Sequence, residues 1–146
     1  MASVVSRPHK CSFGLAPTLD DIDSIAADAL ASIPEEFRRH VGNVRIHVVD
    51  FPDEEIEKEM ELESPFDLLG LYQGVSMKER GANHVANDID RIFLFRRPLL
   101  DHWCETGEDL THLVRHVLIH EIGHHFGFSD EDMEAIEAEA DAEERA

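Results

Sequence analysis

Basic residues are scarce: 13 Lys and Arg stand against 32 Asp and Glu in 146 residues, for a formal charge of −19. So acidic a chain cannot neutralise phosphates across a surface, which excludes nucleic acid and anionic membranes and favours cations, basic segments or neutral peptides as partners. Cysteine is nearly absent. Cys11 and Cys104 are the only two, too few for a disulfide framework and spaced like no metal motif, so both read as thiols of a reducing compartment. No apolar run reaches the roughly 18 residues of a membrane span, and the N-terminal stretch has no signal-peptide core. The expected location is the cytoplasm.

What is present suits one domain. A chain of this length with 42% hydrophobic residues can bury a real core, and a second independent fold has no room. The expected division is a flexible lead-in over residues 1–17, a folded domain over 18–140 and an acidic tail over 141–146. Residues 101–146 hold 14 acidic residues against Arg115 and Arg145, which reads as a solvated helix face running into a fraying end.

Thr18 with Asp21 resembles a helix cap, and Leu19, Ile22, Ile25, Ala26, Ala29 and Leu30 recur at helical spacing up to Pro34. A further turn over 35–40 precedes an alternating strand over 44–49. The acidic segment 53–64 offers only Ile56, Met60 and Leu62 to a core, so a helix there lies on the surface. Gly70 and Gly74 argue against a long helix in the apolar stretch 66–75. Residues 75–90 read as a polar loop, and 91–97 as a strand stopped by Pro98. Thr106, with Asp109 three residues on, then caps a helix over 107–127 that Gly127 ends. Ser129 caps a last helix with Met133, Ile136 and Ala140 on its buried side.

The informative segment is His120-Glu121-Ile122-Gly123-His124-His125-Phe126-Gly127-Phe128-Ser129-Asp130. On a helix, His120 and His124 project one turn apart from one face, so their imidazoles can converge on a single ion, for which Zn2+ is the natural candidate. Glu121 is turned about 100° from His120, beside the ion and placed to act on its water. Gly127 turns the chain back, and Asp130 three residues later can supply a third ligand. Three protein ligands with one position left open is the pattern of a catalytic zinc site. A shuffled chain of this composition contains HExxH roughly 0.08 times, and the pattern extended to Asp130 about once in a thousand.

Rival readings attach to several of these residues. His112, His116, His120 and His124 recur every four residues, so His112 and His116 read as packing, solvent-facing or supporting side chains of a histidine-rich helix. His125 points about 100° away from His124 and reads as a bystander. Ser129 to Asp132 is also what a helix N-terminus favours for cap and dipole reasons. Should Asp130 not ligate, Glu134, Glu137, the more distant Glu139 or a donor from a second chain would have to replace it. Tyr72 is either a core residue or an oxyanion stabiliser. Arg96 and Arg97 hold either a substrate carboxylate or the protein's own acids.

The pattern HExxHxxGxxD resembles the extended zinc motif of the metzincin peptidases with Asp as third ligand. The closer likeness is to a small bacterial family of zinc metallopeptidases with a minimal zincin-like domain, carried by Leu68-Leu69-Gly70-Leu71-Tyr72-Gln73-Gly74-Val75, by Arg91-Ile92-Phe93-Leu94-Phe95-Arg96 and by the motif itself. It spans roughly residues 18–137. The resemblance implies an α+β fold, a small mixed sheet packed on an active-site helix with flanking helices, in which strand 91–97 lies beside that helix and offers its edge to an extended peptide. It also implies one zinc ion on His120, His124 and Asp130, Glu121 as general base, and a peptide or protein substrate. Two departures stand out. The only methionine after Asp130 is Met133, inside the last helix, so no methionine turn follows the motif, and the 75–90 connection is longer than the family's usual one. The alternative is a metal-binding or interaction module with an acidic surface and no turnover.

Overall fold

The computed structural model describes residues 14–39, 41, 43–74 and 90–145. Most of the lead-in with Cys11, and nearly all of the 75–90 connection, lie outside the described residues. Helix α1 (Leu19–Ala31) starts where the sequence places it, because Thr18 and Asp21 form a reciprocal capping box, with Thr18 Oγ1 accepting from Asp21 N–H at 3.0 Å and Asp21 Oδ2 from Thr18 N–H at 2.8 Å. Its buried stripe is Ile22, Ala26 and Ala29. One turn, α2 (Glu35–Arg38), follows Pro34, and strand β1 (Val44–Val49) comes next. The surface helix α3 (Glu54–Glu59) is capped by Asp53 and anchored by Ile56 alone, since Met60 is exposed.

A 3-10 turn at Pro65–Asp67 leads into β2 (Gly70–Gln73). Strand β3 (Asp90–Phe95) is central in a three-stranded sheet of order β1-β3-β2, parallel to β1 with Ile46 opposite Ile92 and antiparallel to β2 with Tyr72 opposite Ile92. The expectation that this strand offers its edge to a peptide is therefore corrected. Both its edges are taken up by hydrogen bonds to neighbours, and among the described residues the sheet borders are β1 and β2. Ile92 and Leu94 on one face of β3 join Val44, Ile46 and Val48 of β1 against the helices, while Phe93 and His47 stack on the other face at 5.3 Å.

Pro98 does not stop the chain. β3 passes directly into α4 (Arg96–Thr106), and Pro98 sits in its first turn, where a missing N–H costs no helical hydrogen bond. Gly107, at φ 72°, ends α4, so Thr106 is the last residue of one helix and not the cap of the next. That cap is Asp109, whose side chain accepts from His112 N–H at 3.3 Å to open α5 (Leu110–Phe126). α5 buries Leu113, Val114, Val117, Leu118, Ile119 and Ile122 against α1 and the sheet. The last helix, α6 (Asp130–Arg145), buries Met133, Ile136 and Ala140 as expected and continues through Asp141.

Candidate metal centre

Because the apolar residues of α5 point into the core, its histidines at four-residue spacing are left along the border that meets α6. His120 is half-buried and His124 exposed. Their ring centres lie 5.9 Å apart at 87°. Zinc holds an imidazole nitrogen at about 2 Å, so two rings sharing one ion have centres roughly 5 to 6 Å apart. The pair fits that span.

Glu121 is half-buried beside them, and its Oε1 accepts a hydrogen bond from the backbone N–H of Tyr72 on β2 at 3.2 Å. Burial pushes its carboxyl pKa up. The Tyr72 N–H and the charge of His124 pull it back in part, and the net direction is upward from the ordinary value. A carboxylate raised in this way, next to two candidate ligands, is what proton transfer near neutral pH calls for.

The chain reverses at Gly127, whose φ of 75° is left-handed. The N–H groups of Gly127 and Phe128 both reach Gly123 O, and Ser129 and Asp132 then cap α6 reciprocally. α6 runs back along α5, with Met133 pressed on Gly123, Glu137 beside His116 and His120, and Asp141 on His112 and Arg115. Asp130 is the first residue of α6 and is exposed. Among the described residues, the donor atoms gathered within 4.8 Å of one another belong to His116, His120 and Glu137, with His124 and Asp130 outside that group.

Sequence reasoning weighs Glu137 only as a substitute for Asp130, and sets aside His116 with His120 as a competing pair because no Glu follows His116 and no turn-borne ligand lies at the right distance. Yet His116 Nδ1 is 2.8 Å from Glu137 Oε1, and its ring lies 4.0 Å from that of His120. The signal was available: His116 and Glu137 stand nearly equidistant from the Gly127 turn, as do His112 and Asp141.

The other side chains weighed for the site serve the fold. Tyr72 Oη donates to Asp90 Oδ2 at 2.8 Å, and its ring stacks on His125 at 4.0 Å. His125 is accordingly a packing partner. Arg96 donates to Asp50 Oδ1 at 3.0 Å and to Pro17 O at 2.7 Å, while the Arg97 guanidinium lies 5.5 Å from the centre of the Phe51 ring. These cations answer the protein's own groups.

A family model described as zincin-like metallopeptidase matches residues 41–140, more than half of the chain. The match runs from just before β1 into α6 and contains every motif residue, while α1 precedes it. No curated protein matches the chain.

Proposed function

This chain belongs to the zincin-like metallopeptidase family, and from that premise we propose that it is a hydrolase of peptide bonds, with one zinc ion held by His120, His124 and Asp130. The observation that carries the reading is the half-buried Glu121, raised in pKa, tethered to Tyr72 N–H and flanked by a histidine pair at zinc-sharing distance.

Zinc held there would supply the Lewis acidity that polarises a peptide carbonyl and acidifies water to near neutral pH. Glu121 takes the proton from the attacking water and delivers it to the leaving amine. The Tyr72 N–H fixes one carboxylate oxygen and leaves the other for that transfer. His120 and His124 would hold the metal, each through one ring nitrogen. Asp130, exposed at the start of α6, would supply the third ligand. An extended peptide or protein substrate would pair with the border strand β2, which already touches Glu121.

No described helix is long and apolar enough to cross a membrane. With Cys104 present as an exposed free thiol, a reducing cytoplasm is the location that suits the chain.

The test is Glu121→Gln beside His120→Ala in zinc-loaded protein assayed on a peptide library. Glu121→Gln keeps the metal and loses about 100-fold or more in turnover, and His120→Ala loses both. Wild type that holds zinc and cleaves nothing would support the rival reading of a binding module without turnover, and Glu121→Gln at full activity would remove Glu121 from the chemistry.

A further inference from the structure

We infer that the chain has a second, alternative position for a divalent transition metal, built by His116 and His120 of α5 with Glu137 of α6. It shares His120 with the motif site, so that the two positions exclude one another. The inference touches the proposed peptidase site only through that shared histidine, and the triad's own geometry stands without it.

Two helices and one turn create this position. His116 and His120 lie one helical turn apart, with rings 4.0 Å from each other at 35°, closer than two rings that share an ion, so binding requires the exposed His116 ring to turn outward. The antiparallel course of α6 then brings one carboxylate to both. Glu137 Oε1 is 2.8 Å from His116 Nδ1, and Oε2 is 3.5 Å from His120 Nε2. A tetrahedral zinc ion with N and O ligands at about 2.0 to 2.1 Å sets its ligand atoms about 3.4 Å apart, and the two separations between Glu137 and the histidines lie on either side of that value. The carboxylate is held in place from both sides. Met133 packs against Gly123 one turn before it, and Asp141 engages His112 and Arg115 one turn after.

The donor chemistry narrows the ion. Two imidazoles and a carboxylate, with no thiolate, suit Zn2+, Co2+, Ni2+ or Cu2+ and not the all-oxygen preference of Ca2+ or Mg2+. The side chains of His120 and Glu137 are 30% and 21% exposed, whereas that of His116 is 52% exposed. The triad therefore opens to solvent on the His116 side, where water completes the coordination.

Exclusion follows from valence. The nitrogen of His120 that faces Glu137 holds one ion at a time, so an ion in the triad draws His120 away from His124. The share of bound metal at each position is then set by their relative affinities and not by the metal concentration, so the triad diverts a fixed fraction from the site that the motif forms.

Metal-free full-length protein titrated with Co2+, read by its visible absorption and by calorimetry, tests this without any assay of turnover. His116→Ala and His124→Ala should each retain about one equivalent with different spectra, and His116→Ala/His124→Ala should retain none. On the His124→Ala background, Glu137→Gln should abolish binding while Glu134→Gln, at an exposed neighbour on α6, leaves it intact; circular dichroism confirms that each variant is folded. Loss of all cobalt from His124→Ala alone overturns the inference, as does binding by His124→Ala that survives Glu137→Gln. Failure of the peptidase reading looks different: His116→Ala binds nothing while His124→Ala still binds.

Discussion

The backbone N–H of Tyr72 donates to Glu121 Oε1 at 3.2 Å, joining the border strand β2 to the glutamate of the motif helix. That one bond ties the position of Glu121 to the sheet and not only to its own helix. Desolvation nevertheless wins over it, and the carboxyl is easier to protonate in the folded protein than in the unfolded chain.

A pH dependence follows from that direction. A group whose folded pKa is raised contributes stability that is present in full below its unfolded value and is lost as pH climbs through the folded value. In metal-free protein, wild type should therefore lose stability relative to Glu121→Gln as pH rises from about 4 to 7, because only wild type must ionise a half-buried group. Urea midpoints of both proteins across this range measure it. A constant gap, or one that moves in favour of wild type, would refute the assignment.

Tyr72→Phe separates a packing role from a catalytic one. The hydroxyl binds Asp90, which is 2% exposed, so its loss should cost about 1 kcal/mol of stability. The Tyr72 backbone N–H, which holds Glu121, is untouched by the change. Turnover should stay within a few-fold of wild type, instead of falling the roughly 100-fold expected on removing an oxyanion donor. Steady-state kinetics on any peptide that wild type cleaves decides between the two.

Much of this architecture was legible in the sequence where the signals are local. Thr18 with Asp21 and Ser129 with Asp132 cap helices as read, and the alternation of Val44, Ile46 and Val48 gave β1. Helix α4 was hidden because Pro98 looks like a stop, although in a first helical turn its missing N–H has no acceptor to lose. Thr106 looked like a cap because an acid stands three residues on, but Gly107 takes the left-handed conformation between them and moves the start to Asp109. The central place of β3 depends on strands distant in sequence, which no local pattern encodes. The same holds for the triad: His116 and Glu137 are each unremarkable, and only the register of α5 on α6 joins them.

The displaced cap makes a direct comparison available. Asp109→Ala should destabilise the protein by about 1 kcal/mol, since it removes the acceptor for a first-turn N–H of α5. Thr106→Ala should change stability by less than about 0.5 kcal/mol, as its hydroxyl serves only exposed groups of Glu108. Chemical denaturation of the two variants, with equal m-values, tests the order. Thr106→Ala as the costlier change would restore the helix boundary that the sequence suggested.

The contact between Gly123 and Met133 sets how closely α6 can lie on α5, and with it whether Glu137 reaches the histidines. By helix propensity alone, Gly123→Ala should gain about 1 kcal/mol. A Cβ at this position would collide with Met133 Sδ and stand 2.9 Å from its Cγ, and Met133 is 1% exposed. Overpacking of that kind costs about 1 to 3 kcal/mol, so Gly123→Ala should be destabilising on balance and, on the His124→Ala background, should also weaken metal binding by lifting Glu137 from His116 and His120. Met133→Ala removes the obstruction at a cost of its own, about 2 to 5 kcal/mol for the lost methionine. On that background Gly123→Ala should become neutral or stabilising, and a double-mutant cycle read by urea denaturation isolates the coupling. If Gly123→Ala has the same effect with and without Met133, the two helices are not held at this distance by that contact, and the reach of Glu137 has some other cause.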